Sequence, residues 1–387
     1  MKLFKVFILA AVALMLCGCP PEPPVEVRYN VVLNYISCHN NSLSYYAELQ
    51  LADYEKGYLP AENSKDVFLV YAHLEGRAPE LSRYCKDRKG SFVKEILKTY
   101  PEDTKSLNSR QITQVLDDAE SFYKAETRTL VISSHGSSFL PQPDSKGFLS
   151  KSAAPMVGAL GPDDNYCIEI PELRSALSKY HYKCLFFDCC YMSGIEVAYE
   201  FKDIADYFIA SPTEVMSAGM LRSSMIPYFF DQKDFESSIE KVCMSYMDHV
   251  YNDEGEYSYY GYGTVAAVKC SELEDLASCC RSIFANHREE IEYLPLSSVQ
   301  KMYSSEAYRW LFDFSDFVEK IADEEEMSAF NERLSDVVIY RATTPEFLNL
   351  KIKKYCGLSS YIPKSADTSI NRFYQSLLWN KAVSLVL

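Results

Sequence analysis

The chain has no glycine-rich phosphate loop, no internal repeat and no low-complexity segment. The first absence removes the backbone cradle that nucleotide phosphates need; the other two remove repeat architectures and disordered linkers. A basic surplus is missing as well: 39 Lys and Arg face 54 Asp and Glu, a net charge of −15. Phosphate backbones are bound by basic surfaces, so nucleic acid is excluded as a partner, whereas a basic substrate would be attracted over distance. Histidine is scarce, at six residues, which leaves few candidates for a general base. Cysteine is plentiful, at 13, but its irregular spacing does not read as a disulfide framework. In apolar contexts such as those of Cys184 and Cys243 a thiol is simply a small hydrophobe.

The N-terminus reads as an export signal spanning residues 1–18. Lys2 and Lys5 precede an apolar run, Val6 to Leu16, that is too short to span a bilayer. The run ends Leu16-Cys17-Gly18-Cys19, which resembles a bacterial lipoprotein box. Cys19 would then become the lipidated first residue, with residues 19–26 as a proline-rich tether. Ordinary cleavage after a small residue is the alternative. The expectation is an exported bacterial lipoprotein of the outer membrane or cell envelope. No acidic cluster follows Cys19, so the membrane face stays open. Without Cys17 and Cys19 an odd number of cysteines remains, so at least one thiol is unpaired or pairs between chains.

The remaining chain has an ordinary globular composition, 48% hydrophobic and 24% charged, with 30 tyrosines promising a large aromatic core. Strand patterns appear at Val27 to Ile36, Asp66 to Leu74, Leu130 to Ser134, Cys184 to Phe187 and Tyr207 to Ala210. Helical spacing appears at Leu43 to Tyr54, Ser91 to Tyr100, Asn108 to Tyr123, Glu169 to Lys179 and Ser193 to Lys202. This alternation predicts an α/β fold with a mostly parallel sheet and helices on both faces. Beyond it come strands at Gly263 to Lys269 and Val337 to Arg341, an amphipathic helix at Ser304 to Ala322 and a loop-rich tail from Cys356. A catalytic domain over 27–275 and a helix-rich C-terminal region over 276–387 are expected. Ser137 to Tyr166, rich in Ser, Pro, Gly and Asp, reads as a loop longer than the ~12–15 residues compact domains usually tolerate. It offers Lys146 and Lys151 as accessible cleavage sites.

Two strand ends carry candidate chemistry. One apolar run, Leu130-Val131-Ile132-Ser133-Ser134, delivers His135 and Gly136; another, Cys184-Leu185-Phe186-Phe187, delivers Asp188, Cys189 and Cys190. Open α/β sheets gather their ligands outside the carboxyl ends of strands, so a thiol and its base are the natural reading. A following helix N-terminus and nearby cations would lower the thiol pKa. Gly136 permits close backbone approach, and its N–H could meet a developing oxyanion. His39, His73, His181, His249 and His287 sit in poorer contexts. The blander readings are a structural histidine and an inert buried cysteine. Zinc held by His181, Cys184, Cys189 and Cys190 is disfavoured, because the spacing fits no common pairing and strand alternation separates Cys189 from Cys190.

The run Asp188-Cys189-Cys190-Tyr191-Met192-Ser193-Gly194-Ile195-Glu196-Val197-Ala198-Tyr199-Glu200, together with Ser134-His135-Gly136, resembles the clostripain family of cysteine peptidases. The early strand around Val31 to Tyr35, the stretch Ala205 to Glu214 and the segment Cys356 to Pro363 fit the same family and its bacterial lipoprotein members. The resemblance implies a caspase-like fold and a Cys-His dyad of Cys190 and His135, with no metal and no cofactor. Cys189 occupies the family's alanine position. Asp188 would line the pocket for an Arg or Lys before the scissile bond, which agrees with strand alternation putting residues 188 and 190 on one side. Family members are often activated by self-cleavage after a basic residue in the region of Lys146 and Lys151. One departure weakens the basic preference: residues 215–225 contain no acid, and Arg222 is basic.

The sequence thus reads as a lipid-anchored cysteine endopeptidase acting on protein or peptide substrates. Gly136 and Cys190 N–H groups would be the oxyanion donors. An inactive surface or binding lipoprotein on the same fold, or another thiol acyl-transfer enzyme acting on cell-wall peptides, are the rivals.

Overall fold

The structure, a computed structural model, describes residues 27–39, 43–141, 160–163, 166–255 and 258–387. The signal segment, Cys19 and its tether, Lys146 and Lys151 lie outside the described residues. Five parallel strands form the centre of a nine-stranded sheet, in the spatial order β2 (Asp66–Leu74), β1 (Tyr29–Cys38), β5 (Ala125–Ser133), β8 (Tyr182–Asp188) and β9 (Ala205–Ala210). Antiparallel strands extend both edges: β3 (Glu80–Lys86) and β4 (Phe92–Thr99) beyond β2, and β10 (Thr264–Lys269) and β12 (Val338–Thr343) beyond β9. A small hairpin, β6 (Leu160–Asp163) and β7 (Tyr166–Ile168), stands apart from this sheet, as does the two-residue strand β11 (Phe312–Asp313).

Side chains alternate across the central strands and feed two cores. Leu130, Ile132, Leu185 and Phe187 face one; Val131, Cys184 and Phe186 face the other. The first is covered by α2 (Ser109–Phe122), α3 (Ile170–Leu177), α4 (Ile195–Glu200) and α6 (Leu273–Asn286). The second is covered by α1 (Ser44–Lys56) and α5 (Phe235–Asn252). A strand buried on both faces must be apolar at nearly every position, which is why these runs stand out in the sequence. Each large apolar side chain so buried stabilises the fold by about 1.5–3 kcal/mol. The expected α/β fold, a mostly parallel sheet flanked by helices, is the observed one.

Three expectations about individual elements fail. Ser91 to Tyr100 is the edge strand β4 rather than a helix, and β3 was not anticipated. Most of β4 is exposed or half-buried, so no buried face imposes a period of two. Ser304 to Ala322 is not one helix. It makes one 3-10 turn at Glu306–Tyr308, is extended at β11, which pairs with Ser359–Ser360, and is α-helical only over Phe314–Glu319. The break is Asp313, whose side chain accepts from Asp316 N and caps the helix. The sheet also crosses the division expected near residue 275, since β12 hydrogen-bonds along β10.

The C-terminal residues hold the segment that follows Cys190. Ser359 N–H donates to Ser193 O at 2.9 Å and Ser193 Oγ to Gly357 O at 2.8 Å. Glu196, fully buried on α4, accepts from Tyr361 N at 2.9 Å, Tyr374 Oη at 2.8 Å and Ser360 Oγ at 3.3 Å, all on one oxygen. Burial raises its pKa to about 6 against these donors. A carboxyl raised in the folded state destabilises it as pH rises from the unfolded value through the folded one. Glu196 therefore costs about 2 kcal/mol above pH ~6, at ~1.4 kcal/mol per pH unit. Glu196→Gln should remove that slope: urea midpoints between pH 4.5 and 6.5 should fall with pH in the parent and stay flatter in the variant. Parallel curves would show that Glu196 does not titrate there.

Candidate active site

β1, β5 and β8 run parallel and end on one edge of the sheet, at Cys38, Ser133 and Asp188. Ser134-His135-Gly136 continues from β5, and Cys189-Cys190 from β8. With Gln50 of α1 and the Glu214–Gly219 segment after β9, Ser134, His135, Cys189 and Cys190 line a cavity of about 220 Å³. His135 thus shares one cavity with Asp188 and Cys190, which lie far from it in sequence.

Close backbone approach makes this possible. A Cβ at Gly136 would stand 2.3 Å from Cys190 O, 2.8 Å from Cys189 Cβ and 3.1 Å from Cys190 N. Only glycine lets the two strand extensions lie this close. Gly136 N–H donates to no backbone carbonyl among the described residues, and the Cys190 N–H meets its own sulfur.

The adjacent thiols are not equivalent. Cys189 is buried and its thiol donates to Ile132 O at 3.2 Å. Cys190 is partly exposed, and its Sγ accepts from Val215 N at 3.2 Å. Burial pushes the Cys190 thiol up to about 12, with the charges of Glu214 and Asp188 adding to it against the Val215 N–H. The lowering expected from a helix N-terminus is outweighed: the helix begins only at Ile195, and the cavity wall carries acids rather than Lys or Arg. His135 is half-buried; burial lowers its pKa, and the charge of Asp163 opposes that. Both shifts favour the uncharged forms, a thiol at Cys190 and a neutral imidazole at His135.

Asp188 lies at the cavity floor, 6% exposed. It accepts from Met220 N at 2.6 Å, Gln50 Nε2 at 3.0 Å, Ser133 Oγ at 3.2 Å and Leu221 N at 3.4 Å. Burial still raises its pKa. The acid-free segment 215–225 thus contributes backbone donors to Asp188 rather than a second charge. Arg222 does not line the cavity: its guanidinium is 3.3 Å from Asp253 and lies over the Tyr259 ring. The second acid on the wall is Glu214, one residue before the segment in which an acid was sought.

The four zinc candidates do not converge. His181 bonds Asp206 at the surface and Cys184 is in the second core. No group of three or more metal-ligating side chains occurs among the described residues, and the eleven cysteines found there are free thiols. Gln50, Val215 and Asp163 are site residues the sequence reading missed. Gln50 had a signal: it lies on the buried stripe Ser44, Ala47, Gln50, Tyr54, where an amide needs a partner. Val215 acts through its backbone and left none.

Residues 34–384 match the model of the clostripain family. The chain is similar to an inactive zymogen C11 protease from Parabacteroides distasonis: 30% identity and TM-score 0.78, over 93% of this chain and 99% of that one. It is also similar to a secreted C11 cysteine protease from Bacteroides thetaiotaomicron solved with an irreversible peptide inhibitor: 25% identity and TM-score 0.77, over 91% of this chain and 98% of that one. No curated protein sequence gives a significant match.

The Gly136 contact is testable by itself. Gly136→Ala should force backbone apart at Cys190, at an overpacking cost of roughly 1–3 kcal/mol. The variant should fold with a lowered Tm and react with a thiol-directed peptide probe at least about fivefold more slowly, the rate change that the lower end of that range corresponds to when it is lost in the transition state. Parent-like reactivity would mean that the approach does not govern the thiol.

Proposed function

The chain belongs to the clostripain family of cysteine peptidases, and from that premise we propose that it is an endopeptidase in which Cys190 attacks the scissile carbonyl and His135 carries the proton. The observation behind this reading is the single cavity that holds a partly exposed thiol and a half-buried imidazole, with the Gly136 peptide packed against Cys190. Because thiol and imidazole rest neutral, the proton passes from Cys190 Sγ to His135 as the S–C bond forms. The carbonyl oxygen takes the negative charge and is met by Gly136 and Cys190 N–H. When the C–N bond breaks, His135 gives the proton to the leaving amine. A water then loses a proton to His135, attacks the thioester and releases the acid, and the thiol recovers its proton.

Asp188 would bind an Arg or Lys side chain ahead of the scissile bond. Its carboxylate sits at the end of the cavity away from solvent, Glu214 adds charge of the same sign, and the net charge of −15 favours approach of a basic chain. The chain would be exported and anchored through Cys19; one relative's description as secreted supports export.

Cys190→Ala should abolish turnover and labelling by an acyloxymethyl ketone placed after Arg or Lys, while Cys189→Ala keeps most of both. Label on Cys189 would move the nucleophile by one residue. His135→Ala should lower kcat by at least ~10²-fold. Asp188→Asn should lose about 10- to 150-fold in kcat/KM on Arg and Lys peptides, the equivalent of one charge-assisted pair, and far less on Leu peptides. An unchanged Arg-to-Leu ratio in a folded variant would remove Asp188 from specificity. A protein that takes no label would be an inactive relative, and one that labels but prefers other acyl donors would be a transferase.

Self-cleavage after Lys146 or Lys151 follows from the same specificity, and one relative is described as an inactive zymogen. Intact mass should then show two fragments for the active protein and one for Cys190→Ala. A fully active single chain would dismiss processing.

A further inference from the structure

Asp163 is a buried carboxylate that the reaction above does not use. It ends β6 and is 2% exposed. Ser37 Oγ donates to its Oδ2 at 2.8 Å, and His39 N–H donates to its Oδ1 at 2.5 Å. His73 Nδ1 lies 3.4 Å from Oδ2, with Ser106 Oγ 2.7 Å from that same nitrogen. The His39 and His73 rings stack at 4.2 Å, within 7° of parallel. These partners come from the ends of β1 and β2, so the sheet fixes the carboxylate from one side. On the other side β6 is docked on the peptide that carries His135: Gly161 N–H donates to His135 O at 3.1 Å, and Leu160 forms an antiparallel bridge with Gly136.

We propose that Asp163, fixed on a hairpin that is hydrogen-bonded to the His135 peptide, is the positioning residue that orients the His135 imidazole toward Cys190. The inference rests on the reading of His135 as the base. An imidazole that must accept a proton inside a half-buried site needs a nearby fixed negative charge, because burial alone disfavours imidazolium. The electrostatics agree in direction: burial depresses His135 and Asp163 is the charge that opposes it. The other titratable groups around Asp163 are His39, His73, Cys38, Cys167, Tyr35 and Tyr71. Those sharing the cavity with His135 are Cys38, Tyr46, Asp188, Cys189, Cys190 and Glu214. Of these, Asp188 is already committed to four donors and Glu214 to Ser304.

The test is Asp163→Asn in the full chain, read twice. First, the His135 imidazole is titrated by NMR in a Cys190→Ala background, where no turnover intervenes. Its midpoint should move to lower pH by at least about half a pH unit. Second, kcat/KM for an Arg peptide is measured against pH. The acid limb should follow the imidazole downward, and the plateau should fall at least about tenfold as orientation is lost. A role confined to holding β6 in place would lower the plateau without moving the titration. A folded variant whose His135 titration coincides with the parent's overturns the proposal. Asp163→Glu keeps the charge but moves it by one methylene, and it serves if the Asn variant fails to fold: the titration should stay close to the parent while kcat falls, and parent-like kcat overturns the positioning role. If His135→Ala retains turnover, the reading of the base fails, and the NMR titration still decides whether Asp163 governs the ring.

Discussion

Ser133 at the end of β5 pairs in register with Asp188 at the end of β8, and the two chains then turn outward together. From that one register follow the Ser133 Oγ to Asp188 hydrogen bond, the contact of Gly136 with Cys190, and the cavity between them. A slip of one residue would exchange the faces of β8, placing Leu185 and Phe187 where Cys184 and Phe186 now lie. Two apolar cores forbid that slip, because each face of β5 and β8 is filled by its own set of helices. The position of Cys190 is therefore a consequence of packing deep in the sheet, several residues before the loop that carries it.

The electrostatics of the cavity bear on the proposed preference for a cationic side chain. Asp188 and Glu214 both oppose formation of a thiolate at Cys190, and no Lys or Arg lines the wall to offset them. Asp188 is stabilised meanwhile by four donors, which leaves its negative charge in place but weakly hydrated. An Arg or Lys side chain brought against Asp188 would cancel part of the field at the sulfur and leave the N–H groups of Gly136 and Cys190 to act on the carbonyl oxygen. Binding and activation are then linked through one charge. A Leu side chain in the same position would satisfy neither the carboxylate nor the thiol.

How much of this was legible in the sequence depends on where each residue gets its signal. Strands buried on both faces write continuous apolar runs, so β1, β2, β5, β8 and β9 and their catalytic extensions were visible. β4, exposed as an edge, wrote no period of two and was misread as helical. Asp313 was hidden inside an apolar stretch, Trp310 to Ile321, that suits one long helix until a capping carboxylate divides it. Asp163 could not be found at all by local pattern: it lies at the end of a stretch that reads as loop, and its partners Ser37, His39 and His73 are brought to it only by the parallel pairing of β1 with β2. The Val215 N–H that binds the sulfur has no side-chain signature.

The residue after Cys190 explains why the C-terminal tail bears on the cavity. Tyr191 has φ of 63°, the left-handed region that costs a non-glycine residue roughly 1–2 kcal/mol. Such a conformation persists only where its surroundings over-determine it. Here Tyr191 N–H donates to Thr213 O at 2.7 Å, Ser193 N–H donates to Ser211 O at 3.0 Å, and the Tyr191 ring packs on Tyr308 at 4.2 Å. The Gly357–Tyr361 segment then binds Ser193 and Glu196 from the far side. The turn presenting Cys190 is thus held between the strand end that follows β9 and residues that come more than 150 positions later in the chain. A peptidase cut back to the apparent end of its parallel sheet would keep both strand ends, yet it would lose the contacts that hold the strained turn between them.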